Sequence, residues 1–493
     1  MTYGEVYERS CRLVNALLAL GIRPQDRVAT LGPNTPRSLE QIGGLALGGF
    51  VRVPLHYRNP AELQRFMLEH VGARALITDS HHYHALRDTL ADLSTLEFVI
   101  VDDGGGPLRY EDMLGSVSGE DPEIAVRPQD MIHMTFTSGT TGRPKATVQT
   151  HRSWLAVTAE NMIQLPPMTR DDRYLAASPL SHGGGSVLFA LIARAVSNIV
   201  MPTYDPGQAA ELIERHGVTV TVMAPTMVHR LIHDPAAARR DLSSVRVIFA
   251  IGAAISEQVI REVAGTFGDV LHLGYGQSEA LPATILTPQE IRRGIDGEES
   301  LLRSSGRPVA GAAVKILDTA DREVPAGELG EIAVDTPGNM KELWAEPQAT
   351  AARFTSDGFI RTGDIGYVDD RGYLFVVGRE GDEIVSAGTK VWPAELENAV
   401  ASHPGVLEVA AVGFADSAAG QVPGAVVVLK DGHSASEEEI IAWCRERLPA
   451  PASPVRVVFQ TDPLPKSPVG KMLRRAVQER YCAPARDAPS GDA

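Results

Sequence analysis

Cysteine is scarce in this 493-residue sequence, acidic residues outnumber basic ones, and extended apolar stretches are missing. The three cysteines, Cys11, Cys444 and Cys482, stand far apart without a CxxC pair, which argues against a disulfide scaffold or a structural zinc site and favours a reducing cytoplasm. The formal net charge of −16 argues against a nucleic-acid partner, because such proteins need a net basic face. No apolar run approaches the ~18 residues of a membrane span. We therefore expect a cytoplasmic protein that binds neither a membrane nor nucleic acid.

The sequence does contain enough apolar residues, 44%, to build a core, in a chain too long for one compact domain. Apolar residues alternate between a helical period and short buried runs, and the first predicted helix places Tyr7, Cys11, Val14 and Leu18 on one stripe. Helices are predicted at 5–20, 38–47 and 60–70, and strands at 28–31, 51–55, 75–78, 198–201, 218–223, 245–251 and 270–272. Strands separated by helical stretches predict parallel α/β layers.

The pattern changes in the last third of the chain. From about 312 to 378, short apolar runs alternate with Asp-Gly and Gly-rich turns, which predicts a β-rich subdomain. Beyond it, helices are predicted near 393–402 and 437–447, and strands at 407–412, 424–429 and 455–459. The tail 483–493 is rich in Pro, Ala, Asp and Gly and is expected to be flexible. The predicted fold is therefore α/β, with a large N-terminal domain at 1–378 and a small α+β domain at 383–482.

Residues 135–145 read Thr-Phe-Thr-Ser-Gly-Thr-Thr-Gly-Arg-Pro-Lys and follow a short apolar strand. The hydroxyl and backbone N–H groups of such a loop can surround a polyphosphate, to which Lys145 adds a point charge. It is not a P-loop of the GxxxxGK[ST] type, because no Ser or Thr follows Lys145. A flexible polar linker is the alternative. The scarcity of lysine, seven against 39 arginines, favours the phosphate loop, since a lysine then marks a position where arginine will not serve.

Further short motifs accompany this loop along the chain. They are Pro179-Leu-Ser-His182-Gly-Gly-Gly185, Gly252-Ala253-Ala254, Gly274-Tyr-Gly-Gln-Ser-Glu279, Arg361-Thr-Gly-Asp364, Gly378-Arg379 and Pro465-Lys-Ser-Pro-Val-Gly-Lys471. Taken alone, each has an ordinary structural explanation, such as a surface turn or close packing after a strand. Together and in this order, they resemble the signatures of the adenylate-forming (ANL) superfamily, which includes acyl-CoA synthetases, the adenylation domains of peptide synthetases and luciferases.

The resemblance implies a site for ATP and Mg²⁺. Tyr275 would stack on adenine, Ser278 would contact the α-phosphate and Asp364 would accept the ribose hydroxyls. Glu279 would hold Mg²⁺, and Lys471 would lie between the substrate carboxylate and the α-phosphate. The implied catalytic residues are Lys471, His182 at the entrance of the acyl pocket, Ser278 and Glu279. The implied cofactor-binding residues are Thr137, Ser138, Gly139, Thr140, Thr141, Gly142, Lys145, Gly252, Ala253, Ala254, Gly274, Tyr275, Gly276, Gln277, Asp364, Arg379, Ser386 and Gly388.

The resemblance also implies a mobile small domain with a hinge at 379–382. Lys471 would serve the first half-reaction, and the segment 386–388 would approach for the second. Gly381 stands where the family often has Asp or Lys at the hinge, and glycine widens the accessible backbone angles. Glu342-Leu-Trp344 replaces the usual Gly-Tyr-Trp, and Ser278 replaces the usual Thr. The family usually extends further before the Thr2-Tyr3 element, so this chain is either a shortened member or one with a late start.

The resulting hypothesis is an ATP-dependent carboxylate:CoA ligase that proceeds through an acyl-adenylate and releases pyrophosphate. A carrier-protein phosphopantetheine, an amine, or nitrite activation toward an arylamine are the alternatives for the second step. A catalytically silent nucleotide-binding scaffold is the alternative from another class, and the presence of both Lys471 and Glu279 argues against it. The glycines at 183–185 leave space in the pocket, which favours an aromatic or medium-length acid. A homodimer is the general expectation for such an enzyme.

Overall fold

The first part of the chain folds into a mixed sheet. The computed structural model describes residues 1–137, 143–430, 432–450, 452–466 and 472–482. In chain order the strands are β1 (Arg27–Leu31), β2 (Val51–Leu55), β3 (Ala75–Thr78), β4 (Phe98–Val101), β5 (Leu108–Arg109), β6 (Met131–Thr137) and β7 (Lys145–Thr150). Their spatial order is β7-β6-β2-β1-β3-β4-β5, and all neighbours are parallel except β6 and β7. The predicted alternation of strands and helices is confirmed here.

Helices pack on both faces of this sheet. They are α1 (Tyr3–Ala19), α2 (Pro36–Leu47), α3 (Ala61–Val71), α4 (Ser80–Leu90) and α5 (Tyr110–Gly115). A capping box starts α1, where the Glu5 amide donates to Thr2 Oγ1 and the Thr2 amide donates to the Glu5 carboxylate. The buried stripe of α1 contains the predicted Cys11 and Val14. Tyr7, on the same predicted stripe, is 51% exposed, and its hydroxyl donates to Asp121.

A second mixed sheet follows. Its strands are β8 (Arg173–Ala176), β9 (Ser197–Val200), β10 (Val220–Met223), β11 (Val247–Ile251), β12 (Leu271–Gln277), β13 (Ala280–Leu286) and β14 (Arg307–Pro308). The spatial order is β14-β13-β12-β11-β10-β8-β9, parallel from β12 to β9 and antiparallel at β13 and β14. The helices of this part are α6 (His151–Gln164), α7 (Gly183–Ser186), α8 (Leu188–Ala193), α9 (Pro206–His216), α10 (Pro225–Ile232), α11 (Glu257–Phe267) and α12 (Pro288–Ile295). The strands predicted between 198 and 272 lie on β9 to β12.

The β-rich segment forms a separate antiparallel sheet. Its elements are β15 (Ala313–Leu317), β16 (Gly330–Asp335), β17 (Glu342–Leu343), α13 (Pro347–Arg353), β18 (Ile360–Val368) and β19 (Leu374–Arg379). Strands β15, β16, β18 and β19 pair in that order. Strand β17 instead leaves this segment and pairs antiparallel with β7 at the edge of the first sheet. The chain therefore returns from the β-rich segment to the strand that begins with Lys145.

The small C-terminal part has an α+β fold, as predicted. It contains β20 (Ile384–Ser386), β21 (Thr389–Val391), α14 (Pro393–Ala401), β22 (Val406–Asp416), β23 (Gly420–Leu429), α15 (Glu437–Arg445), β24 (Arg456–Gln460) and α16 (Arg474–Tyr481). The sheet order is β21-β20-β23-β22, with β24 parallel to β23. Helices α14 and α15 pack on it through buried Leu396, Val400 and Ile440. Within the described ranges, no helix has the length and apolar character required to cross a bilayer.

Candidate active site

A cavity of about 300 Å³ lies between the first and second sheets. Strands β2 and β6 and helix α6 form one side, and the segments that follow β8, β10 and β11 form the other together with β12. Parallel strands place the loops at their carboxyl ends on one edge, where open α/β sheets bind their ligands. The segment 178–186 and the segment 274–278 are thereby brought to the same cavity, although about a hundred residues separate them.

Asn34 joins the two sheets at this cavity. It is buried in the loop after β1, and its Oδ1 accepts from the Leu180 amide at 2.8 Å. Its Nδ2 donates to the Ser178 carbonyl at 2.9 Å. A Cβ at Gly184 or at Gly185 would lie 2.5 Å from the carbonyl oxygen of Ser178 or Leu180, respectively. Close backbone approach, rather than pocket space alone, therefore explains these two glycines. Asn34 was not predicted from the sequence.

His182 lines the cavity at the end of this tightly held segment. Its amide donates to the Pro179 carbonyl at 3.0 Å, its Nδ1 lies 3.0 Å from Ser181 Oγ, and its ring meets the ring of His56 edge-on at 5.3 Å between centroids. Burial lowers the pKa of His182 to about 3, with smaller contributions from His56 and Arg52. At neutral pH the imidazole is therefore uncharged and suited to hydrogen bonding rather than to ion pairing.

Asp364 is the centre of a polar cluster on the β12 side. Tyr275 Oη donates to its Oδ2 at 2.8 Å, Gln277 Nε2 donates to the same oxygen at 2.7 Å, and Arg379 Nε donates to Oδ1 at 3.0 Å. Asp364 and Arg379 are opposite each other in the β18–β19 pair, which explains their spacing of fifteen residues in the sequence. Burial and the Asp364 charge hold the pKa of Tyr275 well above its usual value, so its hydroxyl remains a donor.

Small residues allow the backbone to approach closely around Tyr275. A Cβ at Gly274 would lie 2.7 Å from the Phe249 ring, and one at Gly276 would lie 3.1 Å from the Ala280 carbonyl oxygen. Gly252 has a φ of +93° and lines the cavity with Gly274, Gly276 and Gln277. Ala253 and Ala254 are exposed, and within the described part of the chain they do not line the cavity.

The Ser278–Glu279 turn is held by its backbone. Gln149 Nε2 donates to the Ser278 carbonyl at 3.1 Å, and the Met340 amide donates to the Glu279 carbonyl at 2.7 Å. Ser278 lines the cavity, and Glu279 is 5% exposed. Across the described residues, no group of three or more His, Cys, Asp and Glu side chains could hold a metal. A single carboxylate fits Mg²⁺ that shares its oxygen ligands with a nucleotide, because Mg²⁺ is commonly bound by one or two carboxylates plus phosphates.

Thr137 and Lys145 face each other where β6 meets β7. The loop between them contains Ser138, Gly139, Thr140, Thr141 and Gly142, which lie outside the described residues. Lys145 has no ion-pair partner among the residues that the structure covers, whereas Lys315, Lys390 and Lys466 each pair with a carboxylate. This arrangement leaves the Lys145 ammonium available to an anion at the end of β6.

Of the C-terminal candidates, Ser386 and Gly388 belong to the described residues. Ser386 ends β20, and Gly388 has a φ of +81° in the turn to β21; neither residue lines the cavity within the described ranges. Lys471 lies outside the described residues. Lys466 and Met472 form an isolated bridge on either side of it, and Lys466 pairs with Glu408.

Two polar residues of the cavity were missed by sequence reasoning. Arg52 lies in β2, and His133 lies opposite it in β6. The His133 ring packs edge-on against Trp154 at 4.2 Å between centroids, and burial lowers the pKa of His133 to about 3. An arginine inside the apolar run Val51–Leu55 was the signal in the sequence that could have identified Arg52.

Comparison with known proteins agrees with this geometry. Residues 1–344 match the AMP-binding enzyme family, and residues 395–471 match the AMP-binding enzyme C-terminal domain. The chain belongs to the AMP-binding enzyme family. This family of the ANL superfamily includes acyl-CoA synthetases, so the resemblance drawn from the motifs is confirmed.

Individual relatives differ in what accepts the acyl group. The chain is 34% identical over 483 residues to a feruloyl-CoA synthase of an Amycolatopsis species, covering 98% of this chain and 94% of the relative. It is 30% identical over 485 residues to the fatty acid–[acyl-carrier-protein] ligase ScoC of Streptomyces coeruleorubidus, covering 98% and 92%. The amide bond synthetase McbA of Marinactinospora thermotolerans superposes with a TM-score of 0.89 at 27% identity, covering 98% and 95%.

Proposed function

We propose that this member of the AMP-binding enzyme family is an AMP-forming acid–CoA ligase. The observation that carries the proposal is one cavity, largely apolar, which is lined by His182, by Ser278, and by the Tyr275 and Gln277 that hydrogen-bond to Asp364. A nucleotide held at the polar end presents its α-phosphate to an acid held in the interior. Relatives that are CoA ligases support CoA as the acceptor.

In the first half-reaction, a carboxylate oxygen of the acid attacks the α-phosphorus of ATP. An O–P bond forms, the bond to the bridging oxygen breaks, and pyrophosphate leaves with the electron pair. Asp364 is proposed to accept the ribose hydroxyls, and Ser278 to donate to an α-phosphate oxygen. Lys145 and Lys471 are proposed to neutralise the negative charges that must approach each other, which is electrostatic rather than covalent catalysis.

Mg²⁺ is proposed to bind Glu279, where it would neutralise phosphate charge. Glu279 is 5% exposed as a residue and follows cavity-lining Ser278, so it is largely shielded from bulk water. Its position is set by backbone hydrogen bonds of the turn rather than by a surface loop.

The second half-reaction requires a different arrangement of the same site. The thiol sulfur attacks the acyl carbon, AMP leaves with the bridging oxygen, and the thiol proton is released. We propose that the small domain rotates about residues 379–382, so that Lys471 withdraws and the 386–388 turn approaches. Gly381 has a φ of +86°, a conformation that favours glycine, at the middle of this hinge.

The acceptor in the second step has one supported alternative. The similarity to an acyl-carrier-protein ligase and to an amide bond synthetase favours a carrier-protein thiol or an amine as the second candidate. The cytoplasm is the proposed compartment, because Cys11, Cys444 and Cys482 are free. A homodimer is proposed only from the general frequency of two-fold assemblies.

The adenylation step is tested by acid-dependent exchange of labelled pyrophosphate into ATP. Lys471→Ala should lower the exchange rate by about 10²- to 10³-fold, the usual cost of removing one donor to a developing charge. Lys315→Ala is the matched control, because Lys315 pairs with Asp357 on the antiparallel sheet, and its exchange should be unchanged. Exchange that persists in Lys471→Ala at the rate of the control would remove Lys471 from the reaction.

The acceptor is tested separately by mass spectrometry of the products. The enzyme, ATP and a panel of acids are incubated with CoA, with a phosphopantetheinyl carrier protein or with a primary amine. An acyl-CoA product is expected. Pyrophosphate exchange accompanied by an acyl-carrier or amide product, and no acyl-CoA, would support the second candidate instead.

A further inference from the structure

Arg52 is a charged residue at an apolar position of the fold. It is the second residue of β2, between the fully buried Val51 and Val53, and it lines the cavity. The cavity wall around it is largely apolar, with Ile132, Trp154 and Val157. A guanidinium among such neighbours has lost most of its hydration, which is costly unless an anion or several acceptors replace the water.

The described residues supply little of that replacement. A single hydrogen bond joins Arg52 to them, from Nη2 to the Leu180 carbonyl at 3.3 Å, while its buried Nε has no partner. Among the cavity-lining residues that the structure covers, none is Asp or Glu, and Arg52 forms no ion pair with any described carboxylate. The residues 138–142, which lie outside the described ranges, are Ser, Gly, Thr, Thr and Gly and include no carboxylate.

Two other sequestered arginines obtain more from the protein itself, although the Nε of Arg474, like that of Arg52, is buried without a hydrogen-bond partner. Arg27, in the adjacent strand β1, donates to the Val71 and Gly72 carbonyls at 2.7 and 2.8 Å and lies over the Trp344 ring. Arg474 pairs with Glu397 and donates to the Ala411 carbonyl at 2.7 Å. Arg52 differs from both because its remaining donors face a cavity.

The charge on Arg52 is also not balanced by its neighbours. His133 and His182 are held neutral at pH 7, since burial and the nearby guanidinium lower the pKa of each to about 3. Burial lowers the pKa of Arg52 to about 10, which still leaves it protonated at neutral pH. The acyl end of the cavity therefore carries one uncompensated positive charge.

The position of Arg52 in the sheet separates it from the reacting end. It is level with His133, four residues before Thr137 at the end of β6. At ~3.3 Å per residue, this is about 13 Å along the strand from the start of the phosphate loop. An anionic group of the substrate that pairs with Arg52 is therefore several bonds away from the carboxylate that reacts at the α-phosphate.

We propose that Arg52 binds a second carboxylate of the acid substrate, so that the protein selects dicarboxylic acids over monocarboxylic acids of the same length. The inference rests on the proposed acid-activating function and adds the substrate class. The carboxylate that reacts lies beside Ser278 and His182, and the one that does not react pairs with the guanidinium. A charge-assisted pair of this kind is the interaction for which arginine is suited, because its planar donors match a carboxylate.

The test compares each diacid with its own monomethyl ester, which removes one charge and keeps the chain length. Glutarate, adipate, pimelate and terephthalate are assayed with their monoesters by pyrophosphate exchange. Wild type should favour at least one diacid by about 10- to 100-fold in kcat/KM, the range expected for a hydrogen-bonded charge pair. Arg52→Met should abolish the preference by raising the KM of the diacid, with the ester changed less than about threefold, and Arg52→Lys should restore part of it.

Arg27→Met is the matched control, since it removes a sequestered guanidinium outside the cavity and should leave the ratio of diacid to ester unchanged. Binding is measured apart from turnover, by the rise in melting temperature that each compound produces in the presence of AMP. A wild type that binds and uses the ester as well as the diacid overturns the inference. An Arg52→Met variant that loses binding and use of the diacid and of the ester equally also overturns it. Arg52 would then bind the reacting carboxylate or only position the Leu180 loop.

The two proposals fail in different ways. Exchange with monocarboxylic acids but no diacid preference overturns the role of Arg52 and leaves the acid–CoA ligase intact. Absence of exchange with every acid, together with stabilisation by diacids that requires Arg52, would leave the binding site and overturn the ligase.

Discussion

The two ends of the cavity differ in how far the chain itself satisfies their polar groups. At the β12 end, Asp364 accepts from Tyr275, Gln277 and Arg379 on both of its oxygens. At the β2 end, the buried Nε of cavity-lining Arg52 finds no partner among the described residues. The first end is ordered before any ligand arrives, which lowers the entropy that binding must overcome. The second end leaves donors for a ligand to satisfy, which is where selection among acids can arise.

The largest effect expected from breaking the ordered end comes from Asp364→Ala. It removes the shared acceptor of three donors and the group proposed to bind the ribose, so the KM for ATP should rise by about 10- to 100-fold, at about 1.5–3 kcal/mol per charged hydrogen bond. Asp357→Ala, in an exposed turn, is the control. The measurement is the ATP dependence of pyrophosphate exchange, and an unchanged KM would show that this end does not bind the nucleotide.

At the other end, Arg52→Met should raise the free energy of unfolding by about 1–2 kcal/mol. Burial lowers the pKa of Arg52 to about 10, and each pKa unit is a cost of about 1.4 kcal/mol that the substitution removes. The gain is smaller than this full cost because the hydrogen bond to Leu180 is lost. Arg474→Met is the contrasting variant, because it leaves the carboxylate of Glu397 unpaired and should destabilise. Thermal melting without substrate measures both. A large loss of stability in Arg52→Met would mean that the Leu180 contact, rather than ligand binding, explains the arginine.

The neutral histidines of the β2 end predict a smaller, pH-dependent effect. Burial lowers the pKa of His133 from 6.5 to about 3, so below pH 6.5 the unfolded chain binds a proton that the folded chain does not. The stability associated with neutral His133 is complete above pH 6.5 and is lost as the pH falls toward 3. Between pH 6.5 and 5, the free energy of unfolding of His133→Gln should therefore fall by about 1 kcal/mol less than that of wild type.

Melting temperatures measured from pH 7 to pH 4 test this effect. The exposed His81 provides the control, and His81→Gln should retain the wild-type pH profile. Parallel profiles for His133→Gln and wild type would contradict the assignment of His133 as a buried neutral group.

The smallest effect is expected at the hinge, which belongs to neither end. Gly381 has a φ of +86°, and an L-residue there costs about 1 kcal/mol. Gly381→Ala should leave pyrophosphate exchange within about twofold and slow acyl-CoA formation by a few fold, because only the second step requires rotation. Gly358→Ala, at a φ of +92° in open space, carries the same strain away from the hinge. Equal slowing of both steps by both variants would remove the hinge from the explanation.

Much of the fold could be predicted from local patterns. The alternation of helices and strands, the β-rich segment and the small α+β part were all confirmed, since each depends on periods within a few turns of chain. The membership of β17 in the first sheet could not be predicted, because its partner β7 lies almost two hundred residues earlier. Tyr7 fits the helical period of α1 but is 51% exposed, which the period alone does not predict.

The residues of the candidate site also fall into two groups, those that a local motif predicts and those whose partners are distant in the sequence. The proposed roles of Asp364, Tyr275 and Glu279 came from short motifs that resemble those of the family, and the structure adds that Tyr275 hydrogen-bonds to Asp364. Asn34 and Gln149 were missed, since each acts on a backbone carbonyl more than a hundred residues away. Their identity as Asn and Gln says nothing of those partners until the sheets are packed.

The amino-acid sequence alone determined the family and the order of the elements, because these depend on neighbours along the chain. Only the tertiary structure decided that Arg52, His133 and His182 surround one cavity without a carboxylate among its described lining residues. Charge balance depends on which groups are close in space. The sheet brings residue 52 beside residue 133, and nothing in the sequence around either residue shows that they are neighbours.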